Sequence, residues 1–125
     1  MSKKKMLQQS LKDQTYYGPN KKITVGKGTA TRRGSRLLYS TIPWESLESI
    51  AKRFTDGAEI HGINNWKDNM PIHVIIDHMI EHLKKWSLGD TSDDHLSAIA
   101  WGSCALIWYS IHKPEMVEEY RKRCA

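Results

Sequence analysis

Residues 93–112 read DDHLSAIAWGSCALIWYSIH. At about 100° per residue, Leu96, Ile99, Ala100, Trp101, Cys104, Ala105, Leu106, Ile107, Trp108 and Ile111 surround a helix almost completely. A helix that is apolar on nearly every side must be covered on nearly every side, so this one is the centre of a bundle. Ala98, Gly102 and Ala105 share one face and let another helix approach closely. Thr91 or Ser92 is placed to cap the helix, and Pro114 stops it.

The flanking segments supply the cover. A first helix is expected over 43–61, with Thr41 as cap, Pro43 in the first turn and Gly62 as stop. Its buried stripe is Leu47, Ile50, Ala51, Phe54 and Ala58. The turn chemistry of NNWKDNMP leads to a second helix over 71–88. Its apolar seam is Ile72, Ile75, Ile76, Met79, Leu83 and Trp86. Asp77 and Glu81 point away from that seam, and Glu81 pairs with Lys85 at i,i+4. PEMVEEYRKRCA forms a short terminal helix. The expected fold is therefore all-α, with an arm over 1–36, a helical domain over 37–113 and a tail over 114–125.

Charge divides at the same place. Residues 1–36 hold ten Lys/Arg against one acid, Asp13, whereas residues 37–125 hold nine bases and thirteen acids. The arm is expected to be mobile and largely disordered, and its basicity attracts phosphates, including weak contact with nucleic acid. GKGT within it is not a P-loop, because its glycines are too close together and no helix follows. ITVGKGTATRRG has the composition for one short strand or clasp. With 125 residues, the chain has the length of one domain. It lacks the roughly 20 apolar residues of a membrane span, so no membrane partner is expected. MSKKKMLQQS lacks the apolar core of a secretory signal, which points to the cytoplasm. Two cysteines, Cys104 and Cys124, make neither a disulfide framework nor a zinc motif.

The polar residues worth weighing lie at helix ends and boundaries. Asp90, Asp93 and Asp94 precede the central helix, where carboxylates complement its dipole. His95 follows them, and His82 sits on the flank of the second helix's seam. Glu45, Glu48, Asp56 and Glu59 form an acidic ridge on the first helix, with Lys52 in its midst. Each has a purely structural explanation singly. Converging, Glu45, Glu48, Glu59, Asp94 and His95 would hold Mg²⁺ or Mn²⁺, the imidazole favouring the softer ion.

These residues also carry a resemblance. IPWESLESIAKRFTDGAEIHGINNW, then HLKKWSLGD, then HLSAIAW, resembles a small phage and bacterial family, the dATP/dGTP diphosphohydrolase N-terminal domain. It is similar to the MazG-like all-α nucleotide pyrophosphohydrolases. The likeness covers about 34–111 and leaves out most of the arm. The family's Pro-x-Glu-Ala-Leu falls on Glu45 and Leu47, and its Gly-Ala-x-Lys-Tyr-Gly on Gly57, Ala58 and Gly62. Its Asn-Trp falls on Asn65 and Trp66, and its Arg-His helix on His82 and Trp86. Gly-Glu-Asp reaches Gly89, with Asp90 in place of Glu. His-Leu-x-His-Ala-x-Trp-Asn reaches His95, Leu96 and Trp101. Ile60 and His61 stand in place of Lys-Tyr, Glu81 in place of Arg, Ala98 in place of the second His and Gly102 in place of Asn. The loop between Gly89 and His95 is shortened.

The resemblance implies a MazG-like bundle that hydrolyses a purine deoxynucleoside triphosphate to the monophosphate and pyrophosphate. His82 or Asp90 would then orient the attacking water, and Asn65 and Trp66 would line the base pocket. Arg36 from the arm would contact phosphate in place of the missing Lys and Arg. The same departures suit a second class of protein, one that captures a nucleotide without turning it over. A third class is a helical interaction protein. The apolar surface, the small-residue face and the resemblance together lead us to expect a homodimer or homotetramer.

Overall fold

The computed structural model describes residues 37–125 continuously, together with Ser2, Lys3, Lys5, Lys22–Ile23 and Arg32–Arg33. The expected mobility of the arm, and Arg36, lie outside the described residues. Lys22–Ile23 (β1) and Arg32–Arg33 (β2) pair antiparallel, with Ile23 opposite Arg32. Lys3 forms an ion pair with Glu118 near the other end of the chain.

Over the continuously described residues 37–125, four helices form an all-α bundle: α1 (Trp44–His61), α2 (Ile72–Ser87), α3 (His95–His112) and α4 (Pro114–Cys124). No described helix is long and apolar enough to cross a membrane. Glu81 and Lys85 pair on the surface of α2 at 3.3 Å, as their spacing predicts. Both cysteines are free.

The helix ends differ from the sequence reading in two places, for a common reason. The hydroxyl expected to cap is already engaged by its own turn. Thr41 donates to the Leu38 carbonyl at 2.6 Å inside a 3-10 turn, so Pro43 occupies the cap of α1. Ser92 donates both its N–H (2.8 Å) and its hydroxyl to Asp90. The cap of α3 passes to Asp94, whose side chain accepts the Ser97 N–H at 3.1 Å. Gly62 ends α1 as expected. Its φ of 96° is a conformation that side chains disfavour, and its N–H closes on the Ala58 carbonyl at 2.8 Å.

The buried centre is Ile72 and Ile75 of α2 with Ala105 and Tyr109 of α3. α3 packs against α1, α2 and α4, which is the central position its all-round apolarity demands. α1 is covered less than its stripe suggests. Ile50, Phe54 and Ala58 are half-buried, but Leu47 and Ala51 are exposed, and no α1 residue is fully buried. The reason is that α1 packs mainly on α3, and a cavity opens between its C-terminal half and α2.

The small-residue face of α3 is buried by packing within the chain. Gly102 lies under Met79 of α2, and a Cβ there would stand 2.4 Å from Met79 Cγ and 2.6 Å from its Sδ. Helix propensity alone would favour Ala by about 1 kcal/mol. The clash outweighs it, so Gly102→Ala is expected to cost about 1–3 kcal/mol in urea unfolding. Adding Met79→Ala should cost less than the sum of the two single changes, because the two side chains compete for one space. Strict additivity would show that this contact does not set the α2–α3 separation.

Candidate functional site

The cavity is about 560 Å³ and draws on all three larger helices and one connecting segment. α1 contributes Arg53, Phe54 and Asp56, and α2 contributes Val74, His78 and His82. Ala98 and Trp101 of α3 line it too, and Asn65, Trp66 and Met70 come from the segment between α1 and α2.

One wall is aromatic. Trp66 meets Phe54 edge-on at 5.9 Å, Trp101 at 6.3 Å and Trp108 at 5.5 Å between ring centroids. Such edge-to-face packing holds the rings rigidly and gives a flat partner something to lie against. The segment that carries Asn65 and Trp66 is tied down from α3. Tyr109, fully buried, donates its hydroxyl to the Trp66 carbonyl and accepts the Met70 N–H at 2.8 Å. Burial pushes that hydroxyl above its ordinary pKa, so it stays a donor. Lys113 adds a second tie, donating to the Lys67 carbonyl at 3.1 Å and to the Asn69 side chain.

The opposite side is polar. Arg53 donates both terminal nitrogens to Asp93, at 2.8 and 3.2 Å, and this fork holds the Asp93 carboxyl below its ordinary range. Beside it, His82 Nδ1 and His95 Nδ1 stand 2.8 Å apart, and His95 Nε2 is 2.9 Å from Asp90 Oδ1. The Ser92 hydroxyl and the His95 ring, with the Ser92 N–H, hold Asp90 far below the usual carboxylate range. His95 is buried, while His82 is half-buried and lines the cavity. Burial, then the Arg53 charge, lower the His82 pKa.

The structure thus gathers part of what the sequence singled out. His82, Asn65 and Trp66 line one cavity, and Asp90 reaches His82 through His95. The residues expected to bind a metal are not gathered. Glu45, Glu48 and Glu59 are exposed on α1, Asp94 caps α3, and both ring nitrogens of His95 are engaged. Among the described residues, no three His, Cys, Asp or Glu side chains are grouped to hold an ion. The pairing of Arg53 with Asp93 is a contact absent from the sequence analysis, where Asp93 served only the helix dipole. The one available signal was a basic residue beside the buried stripe of α1. Its partner lies forty residues away, beyond any helical period.

The family described as dATP/dGTP diphosphohydrolase, N-terminal, has a sequence model that matches residues 26–119, most of this chain. No curated protein and no solved structure matches it.

Proposed function

The chain belongs to the dATP/dGTP diphosphohydrolase N-terminal family, and from that premise we propose that its cavity hydrolyses a purine deoxynucleoside triphosphate to the monophosphate and pyrophosphate. One observation carries this reading. An aromatic wall, an arginine and a half-buried histidine face a single cavity of nucleotide size.

In this reading the purine lies against Trp66, Phe54 and Trp101, and Asn65 offers its amide donor and acceptor to the base edge. Arg53 receives the phosphates, exchanging some of its contact with Asp93 for a stronger anion. His82 takes a proton from the attacking water. Among the described residues, no three side chains are grouped as an all-protein metal cage would require. Mg²⁺ or Mn²⁺ would instead arrive with the triphosphate, for which one or two protein carboxylates suffice. Asp56 lines the cavity, and Glu59 stands one turn further along the same helix. When bound, the ion neutralises phosphate charge.

The test is product analysis with dATP, dGTP and the pyrimidine triphosphates, each with Mg²⁺ and Mn²⁺. Pyrophosphate and purine monophosphate in equal amounts are expected. Orthophosphate as the first product would refute the reaction, and a nucleotide-dependent rise in melting temperature without turnover would favour nucleotide capture. Arg53→Gln should raise KM about 10- to 100-fold, the worth of a hydrogen bond to a charged group. An unchanged KM would place the phosphates elsewhere.

A further inference from the structure

We propose that Asp90 and His95 are positioning residues that select the Nδ1–H tautomer of His82, leaving its Nε2 lone pair as the base that faces the cavity. This rests on the hydrolase reading above and specifies which atom performs its proton transfer.

An ionised carboxylate only accepts hydrogen bonds. Two donors from Ser92 and one ring nitrogen converge on Asp90 and keep it ionised. His95 Nε2 must therefore carry a proton and donate it to Asp90. When each ring holds a single proton, His95 Nδ1 is then a bare lone pair. His82 Nδ1 lies 2.8 Å from it, a distance that requires one proton between the two nitrogens. That proton belongs to His82, which leaves His82 Nε2 unprotonated. Among the described residues, Nε2 of His82 has no hydrogen-bond partner. The nitrogen that a second hydrogen bond does not occupy is the one left for chemistry.

Burial makes the selection firm. His95 is only 3 % exposed, and its ring is held at both nitrogens, so it cannot turn over to offer His82 a donor instead. The two rings sit 5.1 Å apart, tilted by 48°, at the boundary between α2 and α3. Asp90 lies in the turn just after α2, and the cap on Asp94 starts α3 at His95 itself. The turn and the cap together set the register of all three groups.

In the reaction, a water O–H bond breaks and its proton passes to His82 Nε2. The water oxygen bonds to the α-phosphorus, and the bond from that phosphorus to the bridging oxygen breaks. The electron pair leaves with pyrophosphate. The positive charge gained by His82 is shared through its Nδ1–H with His95, which faces the Asp90 carboxylate. The proton returns to solvent once the products leave, so the enzyme is regenerated.

Nitrogen-15 spectra of the imidazoles at neutral pH read the tautomers directly, with the protein otherwise intact. Wild type should show His82 protonated at Nδ1 and His95 at Nε2. His95→Phe removes the acceptor while keeping a buried ring. It should move His82 to the Nε2–H form and lower kcat about 10- to 100-fold, with KM changed little. His95→Asn places a carbonyl oxygen where Nδ1 stood and should recover part of the loss. Asp90→Ala, at a solvent-facing position, should leave His82 in both tautomers and lower kcat even if His95→Phe fails to fold. His82 protonated at Nε2 in wild type would overturn the proposal. So would a changed tautomer with unchanged kcat. If wild type releases no pyrophosphate, the hydrolase reading and the base role fall together, and the spectra alone decide the tautomer.

Discussion

Pyrophosphate release should fall about 10²- to 10⁴-fold when His82 is replaced by Gln, the range that a positioned general base contributes. Gln retains a donor and an acceptor of similar reach, so the cavity keeps its polar lining and only the proton acceptor is lost. KM should change far less than kcat, since the nucleotide is held by the aromatic wall and Arg53. A loss of less than about threefold would remove His82 from the chemistry.

The pH profile gives an independent reading of the same residue. Burial lowers the His82 pKa first. Arg53 of α1, His95 of α3 and Lys85 of its own helix push the same way, and Asp93 opposes them. The base therefore stays unprotonated below the ordinary histidine value of about 6.5, and activity should persist into that acid range. Stability should move the other way. As pH falls through about 6.5, the unfolded chain binds a proton that folded His82 still refuses, so unfolding becomes easier until the folded pKa is reached. His82→Gln should flatten that part of the stability profile. An unaltered slope would assign it to another group.

Tyr109→Ala should be the most damaging single change to the fold, at about 3–5 kcal/mol. The ring is completely buried between α2 and α3, and its removal leaves a large void at the centre. The melting temperature should drop by roughly 10–20 °C. Tyr109→Phe separates the hydroxyl from the ring. It keeps the packing but leaves the Met70 N–H and the Trp66 carbonyl without their shared partner, at about 1–3 kcal/mol. Because those groups belong to the segment that carries Asn65 and Trp66, nucleotide affinity should weaken with stability. Urea unfolding and fluorescent-nucleotide titration read the two effects separately. A Phe variant as stable as wild type would mean that water replaces the hydroxyl and that the segment is held by packing alone.

The helices were legible because helical periodicity is local. The apolar surround of 93–112 placed α3 at the centre, and Gly62 and Pro114 marked real boundaries. Caps were less legible, since Thr41 and Ser92 had competing partners within their own turns. The order of motif residues was enough to suggest the family, and Asn65 and Trp66, adjacent in the chain, both line the cavity. What joined His82 to His95, Arg53 to Asp93 and Gly102 to Met79 was the rotation and spacing of whole helices about one another. Those quantities come from packing many side chains at once, and no repeat along the chain encodes them. A carboxylate before a helix reads the same whether it caps, pairs or ligates. Only the tertiary structure distributed these roles, setting Asp94 to cap, Asp93 to hold Arg53 and Asp90 to orient His95.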